Sequence, residues 1–165
     1  MLRKVVIFMV VFIVGMIASE ESFFADYKDA NNFDTEIYGD LLIKSAANTN
    51  DEIAHKPEHS HMLESKSYGK LVHYSIGARV SSDRLVASGG QNQSWPSPHN
   101  VQIQLTYPSE GFGAQVTYVA IVVNQTSTLG QAYIVKGGIN EHMISIIVDA
   151  YSTSVFNVFA YIYGI

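Results

Sequence analysis

Cysteine is absent from the 165 residues of this chain, and charged residues are sparse at 15%. Without cysteine, disulfides, a thiol nucleophile, thiolate zinc sites and iron–sulfur clusters are all excluded. Ten basic residues against fifteen acidic ones give a net charge of −5, and the longest basic run is Arg3-Lys4. The sequence therefore predicts neither a phosphate-binding surface nor a nuclear-localisation run. Apolar residues make up 47%, which is enough for a core and excludes a fully disordered chain.

The N-terminus has the three-part pattern of a secretory signal peptide. Arg3-Lys4 precedes an apolar run from Val5 to Ile17, and small residues lead to cleavage between Ser19 and Glu20. At about 1.5 Å rise per residue this run forms roughly 20 Å of helix, whereas a bilayer core needs about 30 Å. The pattern predicts a signal peptide over 1–19 and no stable membrane span, with a short N-terminal anchor as the alternative.

Charge divides the rest of the chain. Residues 20–66 hold eleven acids and four lysines, whereas residues 67–165 hold four acids and four bases. This shift predicts an acidic, mostly flexible extension or linker over 20–66 and a separate domain over 67–165. Helical spacing of Phe33, Ile37 and Leu41 indicates one helix in the extension. A pro-segment or a partner-binding element remains an alternative for this region.

Residues 67–165 have the pattern of strands. Val101, Ile103 and Leu105 alternate with polar residues, which indicates one buried and one solvated face. Further strands are predicted over 71–76, 116–123, 132–135, 143–148 and 155–163. Turns are predicted at Gly89-Gly90, at the Pro-rich segment 95–98, at 108–111 and at Gly137-Gly138. The fold class is therefore all-β, a single antiparallel β-sandwich of six to seven strands.

Several short motifs in this region form a recognisable series. In chain order they are Tyr74-Ser75-Ile76-Gly77-Ala78-Arg79, Asp83-Arg84-Leu85, Thr106-Tyr107-Pro108, Ile121-Val122-Val123-Asn124-Gln125, Gly137-Gly138 and Tyr161-Ile162-Tyr163-Gly164. Over roughly residues 72–164 this series resembles the multiprotein bridging factor 2 family of arthropods. The chain departs from the family pattern at Asn124, where an acid is usual, and at Asn140, where a third glycine is frequent. Residues 20–66 match nothing in the pattern.

The resemblance implies a small β-rich protein from a family named for transcriptional co-activation. Such a member bridges a general transcription factor and a regulator without needing to bind DNA itself. Many relatives also resemble secreted proteins. The residues that carry the resemblance are Gly77, Arg79, Asp83, Arg84, Tyr107, Pro108, Asn124, Gln125, Gly137, Gly138, Tyr163 and Gly164.

Structural roles explain most of these motif residues. Gly77 in a strand indicates a bulge or a close backbone approach, and Gly137-Gly138 suits a turn with positive φ. Arg79 and Asp83 are four residues apart across a predicted turn, where an ion pair would fix the geometry. Ligand contacts are the alternative for each.

The sequence offers little for catalysis. It has no nucleophile elbow, phosphate loop, dinucleotide fingerprint or His-Glu-x-x-His pattern. Glu141 and His142 are adjacent in a predicted strand, so their side chains point to opposite faces and do not form an acid–base pair. We therefore predict no catalytic residues, no cofactor and no enzyme activity.

The histidines His55, His59 and His61 are the only ligand-rich cluster, and they are weak metal candidates. The strip lacks preorganisation, so a polar linker is the simpler interpretation and a pH response near 6.5 another. No metal site is predicted.

Two Asn-x-Ser/Thr strings begin at Asn92 and Asn124 and predict glycosylation if the chain is secreted. Trp95 in its Pro-rich segment is the best candidate for an exposed contact residue. Together the patterns predict an extracellular, non-enzymatic binding protein. Its partner is a protein or a small ligand of unknown identity, without direct nucleic-acid binding. The first alternative is a transcriptional co-activator that bridges protein factors, and the second is an unrecognised extracellular enzyme or carrier.

Overall fold

The computed structural model describes residues 38–46 and 60–165 of the chain. These residues form one antiparallel sheet of eight strands. The strands are β1 (Tyr38–Gly39), β2 (Leu42–Ala46), β3 (Glu64–Tyr68), β4 (Leu71–Gly77), β5 (Arg84–Tyr107), β6 (Val116–Gln125), β7 (Gly130–Gly137) and β8 (Ile144–Gly164). The described residues contain no helix, so the predicted all-β class is confirmed.

Two long strands, β5 and β8, organise the sheet. They pair along almost their whole length, and their register breaks between Ser94 and Val101. One half of this two-stranded ribbon continues from β8 into β6, β4 and β3. The other half is flanked by β2, which pairs with β5, and by β7, which pairs with β8. Apolar side chains from both parts form a single core, as alternation in each strand requires. The ribbon therefore supplies both layers of a sandwich.

Contacts between the two parts confirm the layering. Gln93 of β5 donates from Nε2 to the Ser45 hydroxyl of β2 at 3.0 Å. The segment before β3 crosses from one layer to the other, because Leu63 donates its N–H to Ala132 of β7 before β3 pairs with β4. Leu63 is buried there, which anchors the crossing in the core.

Three local predictions were wrong. Residues 38–46 contain strands β1 and β2 instead of the end of a helix, because Leu41 is buried between them and Leu42–Ala46 pairs with β5. Gly89-Gly90 lies inside β5 and not in a turn. The segment 95–98 is a bulged passage within β5, since pairing with β8 resumes at His99.

The boundary predicted between residues 66 and 67 falls inside β3. All five residues of β3 are exposed, and charged side chains are typical of such an edge strand. The change in charge therefore marks an exposed edge strand and not the beginning of the fold. The predicted signal peptide, the cleavage position Ser19/Glu20 and most of the predicted linker lie outside the described residues.

Candidate functional site

One end of the sandwich collects most of the motif residues. Three loops meet there, over residues 78–83, 108–115 and 138–143, together with the C-terminal Ile165; we call this the loop end. Backbone hydrogen bonds join these segments, including Val116 N–H to Glu141 O at 2.8 Å and Gln115 N–H to Ile165 O at 3.0 Å. Ten of the twelve motif residues lie at the loop end. They are Gly77, Arg79, Asp83, Arg84, Tyr107, Pro108, Gly137, Gly138, Tyr163 and Gly164.

The first loop is held by the predicted Arg79–Asp83 pair, which is present. Arg79 Nε lies 2.9 and 3.1 Å from the two carboxylate oxygens of Asp83, and Nη2 lies 2.8 Å from Oδ1. The same carboxylate accepts hydrogen bonds from Val80 N–H at 2.8 Å and from the Thr117 hydroxyl at 3.1 Å. The hydrogen bond from Arg79 has the largest effect on the pKa of Asp83 and lowers it. Burial raises this pKa, but the hydrogen bonds from Val80 N–H and the Thr117 hydroxyl lower it further, so the pKa lies below its usual value. The sequence did not indicate the role of Thr117, because a threonine within a predicted strand is common.

Gly77 and Gly137 end their strands with positive φ, as the predictions of a close approach and a turn require. Gly77 has φ of 81°, and a Cβ there would lie 2.2 Å from the Thr117 carbonyl oxygen. Gly137 has φ of 68°, and its Cβ would lie 2.1 Å from the Met143 carbonyl oxygen. Asn140 also has positive φ, at 67°. Asparagine tolerates this conformation, which explains how it stands where the family often has glycine.

The second loop returns to β5 through Tyr107. The buried Tyr107 hydroxyl accepts a hydrogen bond from Ala114 N–H at 2.9 Å. Phe112 at the tip of this loop is 82% exposed, and its ring stacks on His142 with 4.1 Å between centroids. His142 Nδ1 lies 2.9 Å from the Gly113 carbonyl oxygen, so the stacked pair is fixed to the loop. Sequence reasoning missed Phe112, although an aromatic residue between Gly111 and Gly113 was the available signal.

The remaining motif residues lie at the opposite end of the sheet. Gln125 is buried and donates from Nε2 to the Leu129 carbonyl at 3.3 Å, which is a structural role. Asn124 is half-buried, and the register places it across from Asn157, which pairs in turn with Asn92. Asn92 is exposed on β5.

Neither Trp95 nor His61, the metal candidate among the described residues, belongs to the loop end. Trp95 is half-buried and packs on the core with its edge against His99, so its prediction as an exposed contact was wrong. His55 and His59 lie outside the described residues, and His61 accepts a hydrogen bond from Ile134 N–H through its backbone carbonyl. Within 38–46 and 60–165, no group of three or more histidine, aspartate or glutamate side chains is arranged to hold a metal ion.

A polar network lies on the face of β8 opposite the core. Asp149 is buried and accepts hydrogen bonds from Gln102 Nε2 at 2.8 Å, Gln131 Nε2 at 2.9 Å and the Tyr151 hydroxyl at 3.3 Å. Burial and then this carboxylate raise the pKa of Tyr133 to about 12. The network satisfies the oxygen atoms of a buried carboxyl group, which makes it a structural element.

Comparison with known proteins gives one family. The model of the family described as "Transcription activator MBF2" matches residues 76–164. No curated protein and no solved structure matches the chain. In the described part of the chain, no helix has the length and apolar character needed to cross a membrane.

The family match corrects the predicted compartment. A transcription activator family points to a nuclear role with protein partners, so the predicted extracellular, secreted protein with a signal peptide and glycans was wrong. An apolar run and a three-residue acceptor string are short patterns, and the acceptor string is used only in a chain that enters the secretory route. The first alternative, a co-activator, agrees better with the match.

The resemblance expected over roughly 72–164 is confirmed, because the matched segment contains every motif residue from Gly77 to Gly164. This segment makes up more than half of the chain. The protein therefore belongs to the transcription activator MBF2 family.

Proposed function

We propose that this protein is a transcriptional co-activator that bridges protein factors without binding DNA directly. The family match over 76–164 carries the proposal. The loop end supplies a surface suited to it, because loops held by a rigid scaffold are a common location for binding residues. Bridging requires a second surface as well, for which the sheet faces and the opposite end are available.

The distribution of charge supports protein partners over DNA. The six basic residues of the described part are Lys44, Lys66, Lys70, Arg79, Arg84 and Lys136, which are spread over strands and loops. Arg79 is already bound to Asp83. Binding to a phosphate backbone requires several cations on one face, so this arrangement favours recognition of protein.

We also propose that the chain is not an enzyme. Glu141 and His142 are joined by no side-chain hydrogen bond within the described residues, and the His142 ring is held by Phe112 and Gly113 instead. Asp149, a buried acid on β8, is engaged by three neutral side chains. These groups have structural partners in place of a substrate.

A reconstituted transcription reaction tests the bridging function. Purified full-length chain is added to a promoter template with general factors, in the presence or absence of a sequence-specific activator. We expect stimulation only with the activator, and no complex with promoter DNA alone in a mobility-shift assay. Direct binding to the promoter, or the same low output with and without the chain, would contradict the proposal.

A further inference from the structure

An open groove of about 400 Å³ lies at the loop end between the first and last residues of β5. One wall is formed by Tyr38 and Asp40, and the other by the loop around Phe112. Arg84 and Leu85 begin β5 at the groove, Tyr107 ends the strand there, and Pro108 follows it. The groove is therefore lined by motif residues from two separate parts of the sequence.

Two aromatic side chains at this groove are exposed. Phe112 is 82% exposed and Tyr38 is 58% exposed. The Phe112 ring is held in place by its stacking on His142, so contact with a ligand would cost little side-chain entropy. Exposed, pre-positioned aromatic residues are frequent among the residues that dominate binding energy at protein interfaces.

The two charged side chains that line the groove, Asp40 and Arg84, differ in the contacts that they make. Asp40 accepts a hydrogen bond from the Ser109 hydroxyl, and its carbonyl accepts one from Ser109 N–H at 2.8 Å. Arg84 is exposed, and within residues 38–46 and 60–165 it has no ion-pair partner. Its neighbour Asp83 is engaged by Arg79. The guanidinium of Arg84 is therefore the positive charge at the groove that is available to a ligand.

We infer that this groove binds an extended acidic segment of a partner protein that carries a large apolar side chain. A carboxylate of the segment pairs with Arg84, and the apolar side chain packs between Tyr38 and Phe112. A nucleic-acid backbone is disfavoured, because Arg84 is the one cationic side chain among the lining residues of the groove and successive phosphates require several. The inference rests on the proposed function and names the kind of partner that the loop end recognises.

Fluorescence polarisation with the full chain tests this site. The probe is a fluorescein-labelled peptide of aspartates with two phenylalanines, and the control peptide has lysine in place of every aspartate. We expect the acidic peptide to bind and the lysine peptide not to bind. Arg84→Gln should weaken binding about fivefold and reduce its dependence on salt, since an exposed pair contributes about 1 kcal/mol. Phe112→Ser should weaken binding about tenfold.

Matched controls are available at the opposite end. Lys70→Gln removes one exposed positive charge from the β3–β4 turn, and Leu129→Ser removes an exposed apolar side chain. Both should bind the acidic peptide like the parent chain, and Arg84→Lys should retain most of the affinity. Equal binding by Arg84→Gln, Phe112→Ser and the controls, with circular dichroism confirming that all are folded, would overturn the inference, as would equal affinity for the lysine peptide.

The transcription assay separates this inference from the proposed function. Stimulation by the parent chain that Arg84→Gln and Phe112→Ser leave unchanged would refute the groove as the partner site and keep the co-activator function. Peptide binding with the expected pattern, but no stimulation by the parent chain, would support the groove and reject that function.

Discussion

The guanidinium carbon of Arg79 lies 3.6 Å from the centroid of the Tyr163 ring. The Asp83 carboxylate holds the guanidinium there by accepting two hydrogen bonds from Arg79 Nε. A cation over an aromatic face is attracted by the ring quadrupole. Residues from the β4–β5 loop and from the end of β8 are thus joined, although they are far apart in sequence.

Asp83→Ala should destabilise the fold by about 1–3 kcal/mol, because it removes the acceptor of Arg79, of Val80 N–H and of the Thr117 hydroxyl. Urea unfolding followed by circular dichroism measures the change. Glu110→Ala is the matched control, since Glu110 is an exposed acid in the neighbouring loop. Equal unfolding midpoints for the two variants would show that the carboxylate does not hold the loop.

Gly77→Ala should cost substantially more stability than Gly69→Ala. Both glycines have positive φ, at 81° and 63°, so each substitution carries about 1–2 kcal/mol of backbone strain. At Gly69 an added Cβ meets nothing within 4 Å, whereas at Gly77 it would lie 2.2 Å from the Thr117 carbonyl oxygen. Thermal unfolding of the two variants isolates the clash, and similar melting temperatures would contradict the close approach of β4 and β6.

His73 predicts a dependence of stability on pH. Burial, with a smaller contribution from Lys66 on β3, lowers the pKa of His73 to about 4. In the unfolded chain its pKa is about 6.5, so between these values the unfolded state binds more protons. The contribution of His73 to the free energy of unfolding is therefore fully present above pH 6.5. It decreases as the pH is lowered toward 4, by at most about 3 kcal/mol.

Urea unfolding at pH 5 and pH 7 measures this effect. His73→Leu should unfold with a smaller difference between the two pH values than the parent chain, because it has no imidazole to protonate. Above pH 5 most carboxylates stay ionised in both states, so they contribute little to the comparison. An unchanged pH dependence in the variant would mean that His73 is not responsible.

Alternation and turn chemistry predicted much of the sheet. Segments such as 116–123 and 155–163 lie in β6 and β8, where β-branched and aromatic residues cover a buried strand. The continuity of β5 and β8 was not predictable in the same way. Gly89-Gly90 has the composition of a turn, yet Gly90 lies opposite Phe159 in the middle of a strand pair. Long-range pairing overrides this local preference, and a local pattern carries no information about the partner strand.

The loop end was predictable in part. The spacing of Arg79 and Asp83 indicated their pairing, but their union with Thr117 and Tyr163 depends on three strands reaching the same end of the sheet. Phe112 was missed because an isolated aromatic residue in a loop has no periodicity, and Tyr38 because it lies in a two-residue strand within a segment of helical spacing. Their exposure becomes visible only when the loops are placed.

The strands β1 to β3 lead to a prediction about the extent of the fold. A fragment of residues 67–165 lacks β1, β2 and the first three residues of β3, as well as the buried side chains of Leu41 and Leu63 beside these strands. Losing a buried leucine costs about 2–5 kcal/mol, so losing two approaches the total stability of a typical domain. We therefore expect fragment 38–165 to unfold cooperatively on heating and fragment 67–165 not to fold. Circular dichroism and the fluorescence of Trp95, which packs on the core, report the two outcomes. A cooperative transition for 67–165 at the temperature of the longer fragment would show that β5 to β8 form a complete core without the earlier strands.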